Sequence, residues 1–417
     1  MQINYGDCAF ILICSALVFL MTPALGFFYA GMVRRKNVLN TLFACLFICG
    51  LASVLWVVCG YSLSFGTDHG GIIGGLNHLF FNGLSVNSVP NANYASTIPE
   101  SLFAVFQMMF AIITPALIVG SLAERMKFSR LVIFIAIWSL IVYYPLAHMV
   151  WGAGGFLRSL GAVDFAGGNV VHISSGVSGL VACIILGHRR GYGMVNYNPH
   201  NIPFVVLGAA LLWFGWFGFN AGSALGANGL AIHAFITTNT SAATAMLSWM
   251  LIEKIKFGKP TVMGASTGCV IGLVAITPGA GFVPIWASLI IGALVSPICF
   301  FFITKVKSKF KYDDALDAFG CHGIGGIWGG IATGLFTQKS INSSAKWDGL
   351  VFGDYHLFLA QLASIGITIA IAGVATFVIL TVLKRFGDLR VSIAEEADGL
   401  DISEHRESAY PSFNGLD

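Results

Sequence analysis

Two segments of the chain repeat one arrangement of chemistry-bearing residues. Asp164 in DFAGGNVVHI is followed eight residues on by His172, and Asp314 in DALDAFGCHG is followed eight residues on by His322. Both histidines sit in sequence that otherwise reads as hydrocarbon-soluble, where ionisable groups are costly and are functional by default. A lone neutral histidine there can be a hydrogen-bonded packing residue, but a matched pair weakens that reading. A metal site needs three or four ligands, and neither histidine has a Glu, Asp or Cys at i+3 or i+4 on its own helix face. No metal and no cofactor are expected. There remains a relay: a neutral imidazole offers one donor and one acceptor, so a pair can hydrogen-bond a small polar molecule or carry a proton through an apolar passage. Asp164 precedes its helix, so its carboxylate can bind a cation or cap the first N–H groups; the position favours the cap. Of the other histidines, His148 and His233 fall near predicted outer helix ends and are expected to be solvated or interfacial.

Aromatic runs surround these residues: FQMMF (106–110), HMVWG around Trp151, and LLWFGWFGFNAGS (211–223). Most aromatics near a membrane interface are belt residues. Their ring faces can also hold a cation, by about 0.5 to 2 kcal/mol or more where water is excluded.

The elements that must position such residues are transmembrane helices. Of 417 residues 56% are hydrophobic and 10% charged, against roughly a quarter charged in soluble domains. Spans of about 20 apolar residues fit between the charge clusters near 8–30, 38–64, 101–121, 131–151, 170–187, 202–219, 231–252, 261–277, 283–303, 319–336 and 357–383, giving eleven. Lys and Arg stay on the cytoplasmic side of short loops. Of the 22, only Arg158, Lys339 and Lys346 fall on the opposite side from the rest, so the N-terminus is expected outside and the C-terminus inside. The first span has no basic residue before it and Arg34, Arg35 and Lys36 after it, the reverse of a secretory signal. The net charge of +3 belongs to these anchoring residues and carries no nucleic-acid signal. Nine cysteines form no CxxC pair and read as packing residues.

A weaker echo accompanies the Asp–His match, since Phe28–Asn37 and Phe219–Asn228 both read F-x-A-G-x5-N. Two matches in the same order suggest that spans 1–5 and 6–10 are duplicated units, with an added eleventh. Five being odd, the second unit must run upside down relative to the first. Inverted repeats of this kind place a substrate path at the repeat interface. The expected fold is thus an all-α integral membrane protein with an inverted 5+5 repeat. Its membrane domain covers 1–384 (repeat one about 5–190, repeat two about 200–338, the last helix about 357–383), followed by a tail at 385–417.

With these residues in view, the chain resembles the ammonium transporter (Amt/Mep/Rh) family, on its Amt branch. The resemblance runs from residue 5 to about 412 and rests on GFFYAGMVRRKNVLN (26–40), ALIVGSLAERMKFS (116–129), DFAGGNVVHI (164–173), GWFGFNAGSA (215–224), DAFGCHGIGG (317–326) and DGLDISEHRESAY (398–410). It implies a homotrimer of eleven-helix subunits in the plasma membrane (the inner membrane if the source is bacterial). Each subunit has its own pore, which carries ammonium or ammonia, and methylammonium as analogue, inward across the bilayer. Trp151, Phe110 and Ser223 match the family's outer recruitment site, supported by Phe106. Phe110 and Phe219 match its stacked gate, His172 and His322 its paired pore histidines, and Trp216 a pore-lining aromatic. Asp164 matches an aspartate with a structural and electrostatic role. The resemblance also implies a PII-type signalling protein as partner at the cytoplasmic face, whereas the acidic tail taken alone reads as solvated. A sensor that signals through the same pore is the rival class; such sensors carry an added signalling domain, and this chain ends about 34 residues after the last span. An intramembrane enzyme would need a nucleophile and base or a metal motif such as HExxH, and the sequence contains none. The Rh-type branch, which handles neutral gas, is the minor alternative.

Overall fold

In hydrocarbon every backbone N–H and C=O must be satisfied within the protein, which leaves helices as the economical solution for this composition. The computed structural model, described for residues 2–410, is accordingly mostly helical. Among the described residues eight helices are long and apolar enough to cross a membrane: Tyr5–Met32, Arg35–Phe65, Glu100–Leu122, Phe128–Leu160, Gly168–Leu186, Ile202–Gly222, Ile285–Phe310 and His356–Arg385. The expected spans near 231–252, 261–277 and 319–336 are also helical but differ in kind. Gly229–Phe257 is long yet rich in Thr, Ser and Asn, Val262–Ile276 has 15 residues, and Ile324–Phe336 has 13 and is led in by a turn at Phe319–Gly323. Hydroxyls of the first of these donate to backbone carbonyls of neighbouring segments: Thr237 Oγ1 to Ala280 O in the turn after Val262–Ile276 and Ser241 Oγ to Gly272 O in that helix, both at 2.8 Å.

Several helices carry a wide π turn, in mid-course at Trp56–Gly60, Ser139–Tyr143 and Phe302–Val306 and at the start at Gly168–Ile173 and Phe319–Gly323. Such turns rotate the side chains after them out of regular register and gather at functional places. Two of the five carry His172 and His322.

Tyr5–Met32 packs along Ile202–Gly222, and Gly229–Phe257 lies against Val262–Ile276 and Ile285–Phe301. The outside of the bundle shows bare apolar side chains such as Leu46, Val54, Val374 and Phe377, as befits a surface meeting lipid or another subunit. The outer loop between Phe65 and Glu100 folds into a small two-stranded pair, Asp68–His69 with Ile73–Gly74.

The tail differs from the solvated segment expected of it. Val391 N–H donates to Arg125 O and Lys127 N–H to Leu389 O, both at 3.0 Å. The Asp401 carboxylate accepts from Asn40 N–H at 2.8 Å, the Glu404 carboxylate from Phe128 N–H at 3.0 Å, and Leu400 N–H donates to Asn37 Oδ1 at 2.9 Å. It is strapped across the connections at 34–37 and 123–128. The expected tail's last residues, 411–417, lie outside the described residues.

Candidate functional site

The site begins with two copies of one capping device. Asp164 turns its carboxylate onto the chain ahead, accepting from the N–H groups of Gly167, Gly168, Asn169 and Val170 at 2.8, 2.6, 2.8 and 3.4 Å. Asp314 accepts from Ala318 and Phe319 N–H at 3.2 and 2.8 Å and from Ser121 Oγ at 2.7 Å. Each aspartate thus satisfies orphan donors at the start of the turn that carries its histidine. Of the two roles open to Asp164, the geometry is that of the cap.

The two turns then meet. At Gly176 an added Cβ would collide with the backbone of Gly323, so only glycine allows this approach. His172 and His322 lie 5.4 Å apart, ring to ring, and nearly parallel at 18°. Both are buried. Neither nitrogen of His172, nor Nδ1 of His322, has a hydrogen-bond partner among the described residues. Unpaired buried polar atoms cost about 1–3 kcal/mol each, a cost that a polar molecule passing between them offsets.

Above them the rings continue as a column. His172 stacks on Phe219 at 6.1 Å and on Trp216 at 5.4 Å, and Phe219 meets Phe110 at 4.4 Å. Trp216 is held by its Nε1 donating to Thr277 Oγ1 at 2.9 Å. Phe110 stands edge-on to Trp151 at 6.0 Å. The Phe110–Phe219 contact divides two spaces. On the outer side is an open vestibule of about 510 Å³, lined by Phe103, Gln107, Phe110, Trp151, Asp164 and Ser223 among others. On the inner side is a void of about 10 Å³ walled by Leu25, Ile113, Trp216 and Phe219 around the two imidazoles, barely room for one water. Trp151 is fixed by its Nε1 donating to Asp164 O at 2.8 Å, and Ser223 Oγ donates to Phe219 O at 2.8 Å. Ser223 keeps its oxygen lone pairs for the vestibule.

The chain matches known proteins over nearly its whole length. The model of the Ammonium Transporter Family matches residues 9–410. The chain belongs to the ammonium transporter family. The ammonium transporter of Bacillus subtilis (strain 168) is 50% identical over 405 residues, covering 97% of this chain and 98% of that one. Ammonium transporter Amt1 of Archaeoglobus fulgidus is 45% identical over 405 residues, covering 97% and 99%. Among solved structures, Saccharomyces cerevisiae Mep2 superposes with a TM-score of 0.87 at 37% identity, covering 94% of this chain and 89% of that one. A Sensor Amt Protein superposes equally well, TM-score 0.87 at 27% identity, covering 96% and 98%.

Within this family member most of the expected residues converge on one axis: Trp151, Phe110, Ser223 and Asp164 at the vestibule, then Phe219, Trp216, His172 and His322 below. Phe106 differs. It is fully buried, contacts Phe110 at 5.0 Å and sits behind the vestibule wall, because the wall is made by the helix face of Phe103, Gln107 and Phe110. Gln107 was not singled out by the sequence analysis, although its Oε1 is buried without a partner and it lines the vestibule. Its position four residues after Phe103 and three before Phe110 is the helical signal that could have found it. His148, expected at a solvated helix end, is instead fully buried and hydrogen-bonded on both nitrogens. His233 is half-buried, its Nε2 lying 2.8 Å from Val283 O.

Proposed function

We propose that the protein carries ammonium inward by taking up the cation at Trp151, Phe110 and Ser223, releasing its proton near the Phe110–Phe219 gate, and passing ammonia along His172 and His322. The observation that carries this reading is the ring column that links an open vestibule to two imidazoles lacking partners in a dry void. Ring faces and a hydroxyl suit a small cation. An apolar passage too narrow for a hydration shell does not suit one. Ammonium alone among common monovalent cations can leave its charge behind as a proton and cross as a neutral amine. The imidazoles then supply the hydrogen bonds that water would have given, and they can pass the proton on a separate course. Asp164 acts by capping the turn of His172 and by its negative field; Phe106 backs Phe110.

We read all eleven helical stretches as spans and the first ten as an inverted duplication. The two capped histidine turns support this, as does the packing of the first spans of both units, Tyr5–Met32 on Ile202–Gly222. A homotrimer, an outside N-terminus, a plasma-membrane location and a PII-type partner at the cytoplasmic face belong to the same reading.

Labelled methylammonium uptake tests it. Loss of two buried hydrogen bonds, about 1–3 kcal/mol each, slows transit by roughly tenfold or more. Changing both His172 and His322 to Ala is therefore expected to abolish selective uptake; unchanged rate and selectivity would refute the role given to the rings.

A further inference from the structure

One buried titratable group stands outside the ring column. His148 lies one helical turn before Trp151 and is fully buried. Its Nδ1 is 2.9 Å from the carbonyl oxygen of Ser64, and its Nε2 is 2.9 Å from Asp68 Oδ1. A backbone carbonyl only accepts, so Nδ1 bears a hydrogen. Asp68, an outlying aspartate with a 34% exposed side chain, is a carboxylate near neutral pH and, too, only accepts. Oxygens thus face both ring nitrogens, and the ring can donate to both only when it carries two hydrogens, as an imidazolium facing a carboxylate.

This pair underlies the turn that follows Trp151. A Cβ on Gly152 would stand 2.6 Å from His148 Nδ1, and one on Gly154 would stand 2.8 Å from the Asp68 Cβ. Asp68 Oδ1 also accepts from Gly71 N–H at 2.7 Å, and Gly71 O accepts from Phe156 N–H at 2.8 Å. The hinge between Trp151 and Phe156 is therefore clamped onto the outer loop by Asp68. Neither His148 nor Asp68 lines the vestibule.

We propose that His148 and Asp68 form a proton-dependent brace that positions Trp151, so that the affinity for the external cation falls as the outside becomes alkaline. The brace rests on the reading of Trp151 as part of the cation site. Other charged or titratable groups around it are His69 beside Asp68, Tyr61 on the preceding helix, Tyr94, whose hydroxyl accepts from Ala153 N–H in the hinge at 3.2 Å, Arg158, whose Nη1 donates to Trp151 O at 2.9 Å, and Asp164, engaged by four amides. His172, on the neighbouring turn, borders the void below the gate instead. The Asp68 side chain is 34% exposed, which gives outside protons access to the pair.

The test is the KM for labelled methylammonium, which stays a cation across the range, as a function of outside pH. Losing one of the two ring protons turns a lone pair toward an oxygen and forfeits one hydrogen bond. The wild-type KM should then rise roughly three- to tenfold on the alkaline side, with the maximal rate following the same course in all variants. Asp68→Asn supplies its own N–H to an unprotonated Nε2 while Nδ1 still donates to Ser64. Its KM should be low and independent of pH, whereas Asp68→Ala should be high and independent of pH. Superimposable KM–pH profiles for wild type and Asp68→Asn overturn the brace. The control is Trp151→Leu, expected to raise KM at every pH. If it does not, the cation-site reading itself fails; if it does while the Asp68 variants behave as wild type, only the brace fails. Should Asp68→Asn not assemble, 15N spectra of histidine-labelled protein, assigned with His148→Gln, decide the matter. Two ring protons at pH 6 support the brace, and a neutral ring overturns it.

Discussion

Asp164 shows how much a single residue in this site does through its contacts with the backbone and with Trp151. Its carboxylate gathers four backbone N–H groups ahead of His172, and its carbonyl holds Trp151 Nε1. Removing the side chain leaves buried amide donors without partners, at about 1–3 kcal/mol for each group that water cannot reach. Asp164→Ala is expected to lower unfolding stability by at least that amount and to cut uptake, because the turn that aims His172 loosens. Asp314→Ala should cost a comparable amount, since Asp314 caps the matching turn of His322. Unfolding in graded denaturant, with uptake measured alongside, checks both; a variant that keeps full stability would show that the cap is dispensable. These aspartates and histidines were legible in the sequence because ionisable residues stand out in apolar runs. Gln107 was not, because it is uncharged and stands inside the aromatic run FQMMF. The partner of His148 was hidden for another reason: Asp68 is 80 positions away, and its loop has no periodicity from which to read a contact.

Elements on the side of the bundle where the tail docks are tied together by ion pairs that composition records only as basic anchors. Arg189 Nη2 reaches Asp313 Oδ1 at 2.8 Å and its Nη1 reaches Glu124 Oε2 at 3.1 Å, while Arg34 Nε lies 3.0 Å from Glu124. Glu124 adopts a left-handed φ of 72° to present its carboxylate. Burial alone would push both carboxyls up, but Arg189, joined at Glu124 by Arg34, overrides it and holds them below the ordinary carboxylate range. Removing one member of such a network strands buried charge, so Arg189→Ala is expected to cost about 3–5 kcal/mol. The sign of the pH dependence follows from the depressed folded values. The stabilisation is complete above the ordinary carboxylate range, about pH 4, and is lost as pH falls through the lower folded values. Wild-type stability should therefore decline on acidification more steeply than that of Arg189→Ala; parallel curves would remove the network from the explanation. Span positions were legible in the sequence because hydropathy and charge clusters mark them. The π turns and the docked tail were not, since the first break no pattern and the second is built from hydrogen bonds between residues far apart in the chain.

At the scale of the whole molecule, the fold does not by itself separate transport from signalling, since this chain superposes equally well on Mep2 and on a Sensor Amt Protein. The proposed mechanism, however, makes a demand of the entire pore that a closed signalling channel would not meet. The vestibule is open, the void below the Phe110–Phe219 contact is about 10 Å³, and its walls are apolar apart from two imidazoles. Moving a bare monovalent ion into such surroundings costs at least several kcal/mol after relaxation, about a thousandfold or more in rate. Potassium has no way around that cost, while ammonium sheds a proton. In proteoliposomes on a solid support, an ammonium jump is accordingly expected to give a transient that an equal potassium jump lacks if protons accompany ammonia, and internal alkalinisation without current if they do not. Changing both His172 and His322 to Ala should remove either signal. A potassium current comparable to that of ammonium would mean that the passage stays hydrated, and discrimination by deprotonation would have to be abandoned.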